Sequence, residues 1–420
     1  MKTAGTSRVV VLGGGFAGIG AAASLVKSLG REANVEITLV SRHNYFLFIP
    51  MLHEAATGAV EPRHVAQPIR RAFRGKGLSF HKAEVRSIDL EARQVQTDRA
   101  VLDFDYLVMA MGSDTNFFGL EASSPHVFEL KDLSDARTLH CHILEMFEIA
   151  CSQDNPEARK PCLNFVVAGA GPTGVELTAE IHDFVHHTVL KDYPALSLDD
   201  VGISLVEMAD RVLPGLDEPL SRVALTKLKS KRINLLLGTR ISKITDQGLE
   251  LNGEREVQTR TVVWTAGVKA SPVLANLPVE RDRIGRVVVD QYLQVPGHPG
   301  VYAVGDSASC QDPTTKKPFP PTAQVAVRQG GHVAQNIVAA IRDRPARPFE
   351  HVSWAGLVSL GSNAAIVDFS GFRLYGRPAS FMWRLVYLTK LPGRQNKVLV
   401  ALDWLLSLFF ERNTAQSEGG

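Results

Sequence analysis

The pattern G-x-G-x-x-G occurs twice in this chain, each time between a hydrophobic run and an alanine- or threonine-containing helical stretch. Gly13, Gly15 and Gly18 lie in VVVLGGGFAGIG, and Gly169, Gly171 and Gly174 lie in FVVAGAGPTGVEL. The first glycine of such a set allows a tight strand-to-helix turn, the second lets a pyrophosphate approach the backbone, and the third lets the helix pack closely on the strand. Phosphates then meet the N–H groups of a helix N-terminus, where the helix dipole favours negative charge. Glycines at one strand–helix turn can serve packing alone. Two matches, each in the strand–turn–helix setting the motif needs, predict an α/β fold with two Rossmann-like dinucleotide-binding domains.

The segments between the turns repeat one plan. After the first turn come a helix over about Ala17 to Leu29, a strand VEITLVS ending at Ser41, short alternating segments, and the strand FDYLVMAMGS closing near Gly112. After the second come a helix extended through IHDFVHHTVLKDYPALSLDD, the strand VGISLVE ending at Glu207, more short alternating segments, and RTVVWTAGVKASP with Gly267. A later strand, GVYAVGDSAS, resembles a return to the first domain, so the second domain is expected as an insertion. Residues 1–130 and 285–345 are assigned to an FAD-binding domain, 131–284 to an NADH-binding domain, and 346–420 to a C-terminal domain with amphipathic helices.

The ends of the second strands separate the two ligands. Glu207 is placed to accept hydrogen bonds from an adenosine ribose and to repel a 2′-phosphate, which predicts NADH over NADPH. Its distance from Gly174 exceeds the roughly 20 residues usual for this contact, and the excess is assigned to extra helix around His182 to Asp200. The first unit has Ser41 at the equivalent place, a departure from the acidic pattern. Asp306, in VGD, is placed to accept from a hydroxyl of the flavin chain. A cap on the helix that follows is the lesser alternative. FAD is therefore expected in the first cradle, with Gly305 and Val85 beside it, and NADH in the second.

Cysteine usage limits the redox chemistry. Cys141, Cys151, Cys162 and Cys310 form no CxxC or CxxxxC pair, which counts against a redox disulfide or a structural zinc site. His182, His186 and His187 share helical spacing but have no accompanying ligand cluster, so no metal is expected. The formal net charge of +2 gives no overall pull toward nucleic acid. A strand begins almost at the initiator, from which no leader and a cytoplasmic location are expected.

The tail has another character. From Gly371 to Arg412 there are seven Lys or Arg against two Asp or Glu. In NKVLVALDWLLSLFFER the polar residues Asn396, Asp403, Ser407 and Glu411 fall near one stripe, leaving Trp404, Leu405, Leu408 and Phe409 on an apolar face. The apolar run of about 13 residues is short of the roughly 20 that span a bilayer. An interfacial helix on an anionic lipid surface is expected, and a dimer or core helix is the bland alternative.

With GGGFAG, NYFLFIPMLHEAATGAVEPRHVAQPIR, AGAGPTGVELTAE, TVVWTAGVKASP, VYAVGDSAS and PPTAQVAVRQGGHVAQNI, most of the chain resembles the type II NADH dehydrogenases. These are single-chain, FAD-dependent NADH:quinone oxidoreductases of the two-dinucleotide flavoprotein superfamily. The resemblance implies a glutathione-reductase-like architecture, with the NAD domain inserted in the FAD domain. It implies a ping-pong cycle without proton pumping, in which NADH passes a hydride to flavin and leaves before a membrane quinone takes two electrons. It also implies that Glu176 faces the nicotinamide and flavin, and that Ala323 and Gln324 lie in the flavin-ring and quinone segment. On its residues alone, Glu176 is equally an acid suited to a helix N-terminus. The family often has a second glutamine four residues after Gln324. Here that place is Arg328, with Gln329 beside it, and Gln329 is taken as the second candidate. The HDFV…YP extension and Ser41 resemble plant and fungal members more than the short bacterial ones. Peripheral attachment to the cytoplasmic face of the cell membrane is expected, and a homodimer is left open. Sulfide:quinone oxidoreductase, ferredoxin reductase and a slow FAD/NADH-binding redox sensor are the rival readings.

Overall fold

A computed structural model describes residues 6–30, 32–120, 124–350, 355–369 and 371–416. The first five residues, on which the expectation about a leader bears, lie outside the described ones. The chain divides into two compact units. The first comprises 1–46, 67–114 and 268–353, and the second comprises 47–66, 115–267 and 354–420. The crossings at 114/115 and 267/268 fall about 16 or 17 residues before those expected at 130/131 and 284/285, and the C-terminal segment clusters with the inserted domain.

In the first unit a five-stranded sheet runs in the order Val301–Ala303, Tyr106–Met109, Ser7–Leu12, Val35–Ser41, Ser79–Lys82, with every pair parallel. Parallel strands buried on both faces need unbroken apolar runs rather than alternation. Val9, Val11, Leu12, Leu39, Leu107, Val108 and Met109 meet that need, all essentially without solvent exposure. The helix Phe16–Leu29 leads from the first glycine turn and packs on the helix Ala323–Ile341. Their approach is set by small residues. A Cβ on Gly330 would lie 2.0 Å from the Ala17 carbonyl oxygen, so the two helices touch backbone to backbone. A three-stranded antiparallel insert, Val85–Asp89, Gln94–Thr97 and Val101–Asp103, completes the repeat plan.

The second unit repeats the design. Its five parallel strands run in the order Val127–Phe128, Thr261–Trp264, Asn164–Ala168, Gly202–Val206, Asn234–Leu236, and its antiparallel insert is Ile241–Thr245, Gly248–Leu251, Arg255–Gln258. The helix Leu133–Cys151 starts at Asp132, as its capping box dictates: Asp132 accepts from the Asp135 N–H and Asp135 from the Asp132 N–H. The expected helical extension is shorter than its sequence. The helix Pro172–Phe184 passes into a π-turn at Val185–Val189 and stops by Asp192, because Pro194 cannot supply the N–H a further turn needs. The strands Ala355–Ser359, Ala365–Phe369 and Phe372–Tyr375 form an antiparallel three-stranded sheet, followed by the helices Gly376–Lys390 and Arg394–Leu406. Gly393, at φ +83°, makes the corner between them.

Candidate functional site

The first glycine turn, within the first unit, has the shape the sequence predicts. Gly13 adopts φ +108°, and a Cβ there would lie 2.1 Å from the Ala110 carbonyl oxygen. A Cβ on Gly18 would lie 1.8 Å from the Gly13 carbonyl oxygen, so the third glycine is required for closure of the turn. Gly15 is different: a Cβ there meets no atom within 4 Å. Packing explains two of the glycines and leaves the middle one to an approach from outside the protein, which is the fit a pyrophosphate requires. Ser41 ends its strand with its hydroxyl against Gly14, where an added Cβ would come within 2.6 Å of Oγ. Its carbonyl accepts from the Ala83 N–H at 3.1 Å, which brings residues 83–85, including Val85, to the carboxyl end of the sheet.

The other residues assigned to this cradle converge on the same unit. Gly112, at φ +73°, donates its N–H to Ser307 Oγ at 3.1 Å, and Ser113 Oγ donates to Asp306 Oδ2 at 2.8 Å. Asp306 is the middle residue of a single 3₁₀ turn, Gly305–Ser307, whose N-cap position is Val304, so the N-cap alternative loses its support. Ala323 and Gln324 form the first turn of the helix Ala323–Ile341, capped by Thr322 accepting from the Val325 N–H at 3.3 Å. Gln329 is buried, and its amide oxygen accepts from the Gly305 N–H at 2.7 Å. That bond commits Gln329 to holding the VGD turn, whereas Arg328 is exposed.

The second cradle, within the second unit, repeats the arithmetic. Gly169 adopts φ +99° with its missing Cβ 2.6 Å from Ala266, the missing Cβ of Gly174 lies 1.8 Å from the Gly169 carbonyl oxygen, and Gly171 has nothing within 4 Å. Glu207 receives the Ala170 N–H at 2.7 Å on one oxygen and the Ala209 N–H at 2.9 Å on the other. The carboxylate is thereby fixed at the carboxyl end of the strand Gly202–Val206, beside the glycine turn. Gly267 needs its lack of a side chain for a reason the motif does not give. The ring of Phe118 lies where its Cβ would be, 2.5 Å away. Phe118 is itself 62% exposed with φ +53°, a left-handed conformation uncommon for a bulky residue.

Glu176 sits one turn into the helix Pro172–Phe184 and is buried in the second unit. Its Oε1 accepts from the Ser359 N–H at 2.9 Å, and its Oε2 lies 3.8 Å from His53 Nδ1. Burial pushes its pKa up to about 8, with Glu54 and Glu180 adding like-charge repulsion. Glu54, on the short helix Leu52–Ala56, is also buried and raised to about 7, chiefly by desolvation, while the Trp404 indole N–H bonds its Oε2 at 3.1 Å. His53 is driven down to about 3 by burial and by the Arg412 charge. Arg412 pairs with Glu180 at 2.9 Å and with Ser362 Oγ at 3.0 Å.

Of this buried group, sequence reasoning singles out Glu176 and does not single out Glu54, His53, Glu180 or Arg412, nor Phe118 beside Gly267. The usable signal for Glu54 was an ionisable residue inside the apolar run MLHEAATGAV. Pattern reading assigns such an acid to a helix surface, and only the tertiary fold closes over it.

Thiol chemistry has no support here. Cys162 and Cys310 are buried and free, and burial pushes the Cys310 thiol up to about 11, far from the thiolate that disulfide exchange requires. Among the described residues no group of three or more His, Cys, Asp or Glu is arranged to hold a metal. His182 and His186 instead stack at 4.0 Å, and His182 Nδ1 bonds Asp183 at 2.9 Å. No helix among the described residues is long and apolar enough to cross a membrane.

The last helix reverses the ordinary arrangement. Its polar stripe faces protein: Asn396 donates to the His64 and Ala66 carbonyls at 2.9 and 2.8 Å, and Asp403 Oδ2 lies 2.6 Å from His64 Nδ1. The helix ends at Leu406, short of the expected Ser407 and Glu411; Val398, Leu402, Leu405 and Leu406 on it, and Leu408 and Phe409 in the turn after it, are exposed. Trp404 departs from the expectation that put it on that apolar face, because it is drawn inside by the Glu54 hydrogen bond.

Residues 7–330 match the pyridine nucleotide-disulphide oxidoreductase family, and residues 354–413 match the NDH2 C-terminal domain. The type II NADH:quinone oxidoreductase of Staphylococcus aureus is 31% identical over 90% of this chain and 94% of its own length. A probable NADH dehydrogenase of Dictyostelium discoideum is 29% identical over 98% of this chain and 92% of its own. The structure of NDH2 from Plasmodium falciparum in complex with NADH superimposes with a TM-score of 0.90 over 98% of this chain and all of that one, at 20% identity, a likeness of fold. With both family models matched in chain order and a relative 31% identical over 90% of the chain, the chain belongs to the type II NADH:quinone oxidoreductases of the pyridine nucleotide-disulphide oxidoreductase family.

Proposed function

We propose that this chain oxidises NADH and reduces a membrane quinone by way of FAD, with each cradle holding one dinucleotide. The observation that carries the reading is the paired open middle glycine: Gly15 and Gly171 are the only members of their triads that packing does not require. When bound, FAD would supply the two-electron redox chemistry that links NADH oxidation to quinone reduction. Everything else falls to the protein. Gly13, Gly15 and Gly18 present N–H groups to the FAD pyrophosphate, with Ser41, Val85 and Gly112 at the same sheet end and Asp306 on the flavin chain. Ser113 orients the Asp306 carboxylate by donating to it.

In the second unit, Gly169, Gly171 and Gly174 hold the pyrophosphate of NADH, and Gly267 lines the neighbouring turn. Glu207 keeps acceptor capacity for the ribose hydroxyls and places negative charge where NADPH carries its phosphate. Burial raises the Glu176 carboxyl to about 8, which suits it to give and retake a proton near neutral pH. Ala323 and Gln324 are assigned to the quinone-facing segment. Gln329 is assigned instead to positioning, through its bond to Gly305.

Peripheral attachment is supported by the outward apolar face of Arg394–Leu406 and the basic excess around it. The cytoplasmic face of the membrane is the surface proposed, and a homodimer is compatible with the same face.

The test uses purified protein, heat-released cofactor and a short-chain ubiquinone or menaquinone analogue. The reading expects FAD in the supernatant and quinone-dependent loss of NADH absorbance, with NADPH a much poorer donor. FMN in place of FAD, or equal use of NADPH, would contradict it.

A further inference from the structure

The overall reaction, NADH + H⁺ + quinone → NAD⁺ + quinol, draws one proton per turnover from outside its two organic substrates. The second unit contains a buried group of ionisable side chains larger than Glu176 alone can account for. We propose that Glu54 and Glu176 form a coupled carboxyl pair that stores that one proton and supplies it during quinol formation, an inference that rests on the proton-donating role of Glu176 given above.

The assignment proceeds by elimination among the groups that face this space. On the helix Leu52–Ala56, His53 is neutral across the working range, since burial holds it near 3. On the helix Pro172–Phe184, Glu180 has Arg412 as its counter-charge at 2.9 Å. From the helix Gly376–Lys390 come Arg384, which pulls Glu54 down, and Tyr387, whose phenol burial raises far above its ordinary value. From the helix Leu133–Cys151 comes His140, whose pKa burial lowers. The remaining buried carboxyls, Glu54 and Glu176, lie on helices that meet where His53 Nδ1, beside Glu54, comes 3.8 Å from Glu176 Oε2, and burial raises them to about 7 and about 8. Each carboxylate raises the pKa of Tyr387, and Glu54 raises that of Glu176, so these groups share one electrostatic environment. Two carboxyls that interact by more than about one pK unit titrate in two macroscopic steps and retain one proton between them over the interval.

Geometry sets what the pair can do. Glu176 is anchored by the Ser359 N–H, and Glu54 by the Trp404 indole N–H, so both carboxyls are held in place on separate helices. Both anchors donate, which leaves each carboxyl able to carry its own proton. Trp404 lies on the outward-facing C-terminal helix, which places one end of the pair against the element assigned to the lipid surface.

Glu54→Gln keeps an oxygen for the Trp404 N–H and removes the proton, and Glu54→Asp keeps a carboxyl. The two half-reactions are followed separately from about pH 5.5 to 9.5 in full-length enzyme of matched flavin content, a range that brackets ordinary carboxyl shifts. E54Q is expected to be reduced by NADH at the wild-type rate, to reoxidise with quinone about tenfold more slowly or worse, and to lose one of the two ionisations in the pH profile. E54D is expected to restore the two-step profile. Infrared difference spectra of the resting enzyme, titrated over the same range, are expected to lose one carboxyl C=O band in E54Q. A wild-type profile and an unchanged carboxyl band in E54Q would overturn the proposal, as would equal impairment of E54D and E54Q with the wild-type profile. Glu176→Gln separates the two levels. If E176Q moves the profile and E54Q does not, the pair falls alone; if neither moves it, the role of Glu176 falls as well.

Discussion

The three glycines of each triad are not equivalent, and single methyl groups distinguish them. Gly174→Ala puts a Cβ against the Gly169 carbonyl, so the folded state is expected to lose about 1–3 kcal/mol, read as a lower melting temperature. Gly171→Ala meets no protein atom. It should fold normally and raise KM for NADH about tenfold, equivalent to about 1.4 kcal/mol. The carboxyl at 176 gives a prediction of opposite sense. Its folded pKa, about 8, lies above its unfolded value near 4.5. The acid form is therefore favoured by folding, and this group's contribution is fully present below about pH 4.5 and is lost as pH rises toward 8. Glu176→Gln should leave the melting temperature little changed at pH 5 and raise it at pH 8.5, a difference visible by calorimetry in paired buffers. The glycines and Glu207 were legible in the sequence because their requirements are local: a turn, a helix start, a strand end. Glu54, Arg412 and Phe118 were not, because burial of a charge or a ring over Gly267 depends on segments far apart in the chain. Ser41 lies between these cases. Its departure from an acid was visible, and the reason, a hydroxyl packed against Gly14, required coordinates.

At the scale of elements, the parallel strands were readable because both sheet faces are buried and their sequences are continuously apolar. The extension after Pro172–Phe184 was less so. Its helical composition is opposed by Pro194, and Asp183 fixes the helix before it by bonding Lys231, His182 Nδ1 and the Ser362 N–H. Asp183 is held far below the ordinary carboxylate range mainly by those partners, which outweigh its burial. Breaking such a buried pair leaves an uncompensated charge, so Asp183→Ala is expected to cost about 3–5 kcal/mol in urea unfolding. The terminal helix allows a cleaner test. With Asn396 and Asp403 bonded inward, replacing Leu402, Leu405 and Phe409 by serine removes only outward apolar surface. The triple variant should keep its flavin and its melting temperature while failing to float with anionic phospholipid vesicles. Loss of flavin in that variant would make the face structural instead.

Over the whole molecule, a single construction is used twice. Both units carry the same five-stranded parallel sheet, the same kind of three-stranded insert and the same open middle glycine. The difference lies at the end of the second strand, where Ser41 packs against its turn and Glu207 offers charge, and in the added C-terminal segment of the second unit. On this account the first cradle keeps a resident flavin and the second exchanges its nicotinamide ligand. The most direct test is an anaerobic stopped-flow measurement in two steps. NADH alone should bleach the flavin absorbance, and a short-chain quinone, added after NAD⁺ has been removed by rapid gel filtration, should restore it in full. Flavin that bleaches but is not restored by any quinone, or that is restored only while the nicotinamide nucleotide remains bound, would contradict the account.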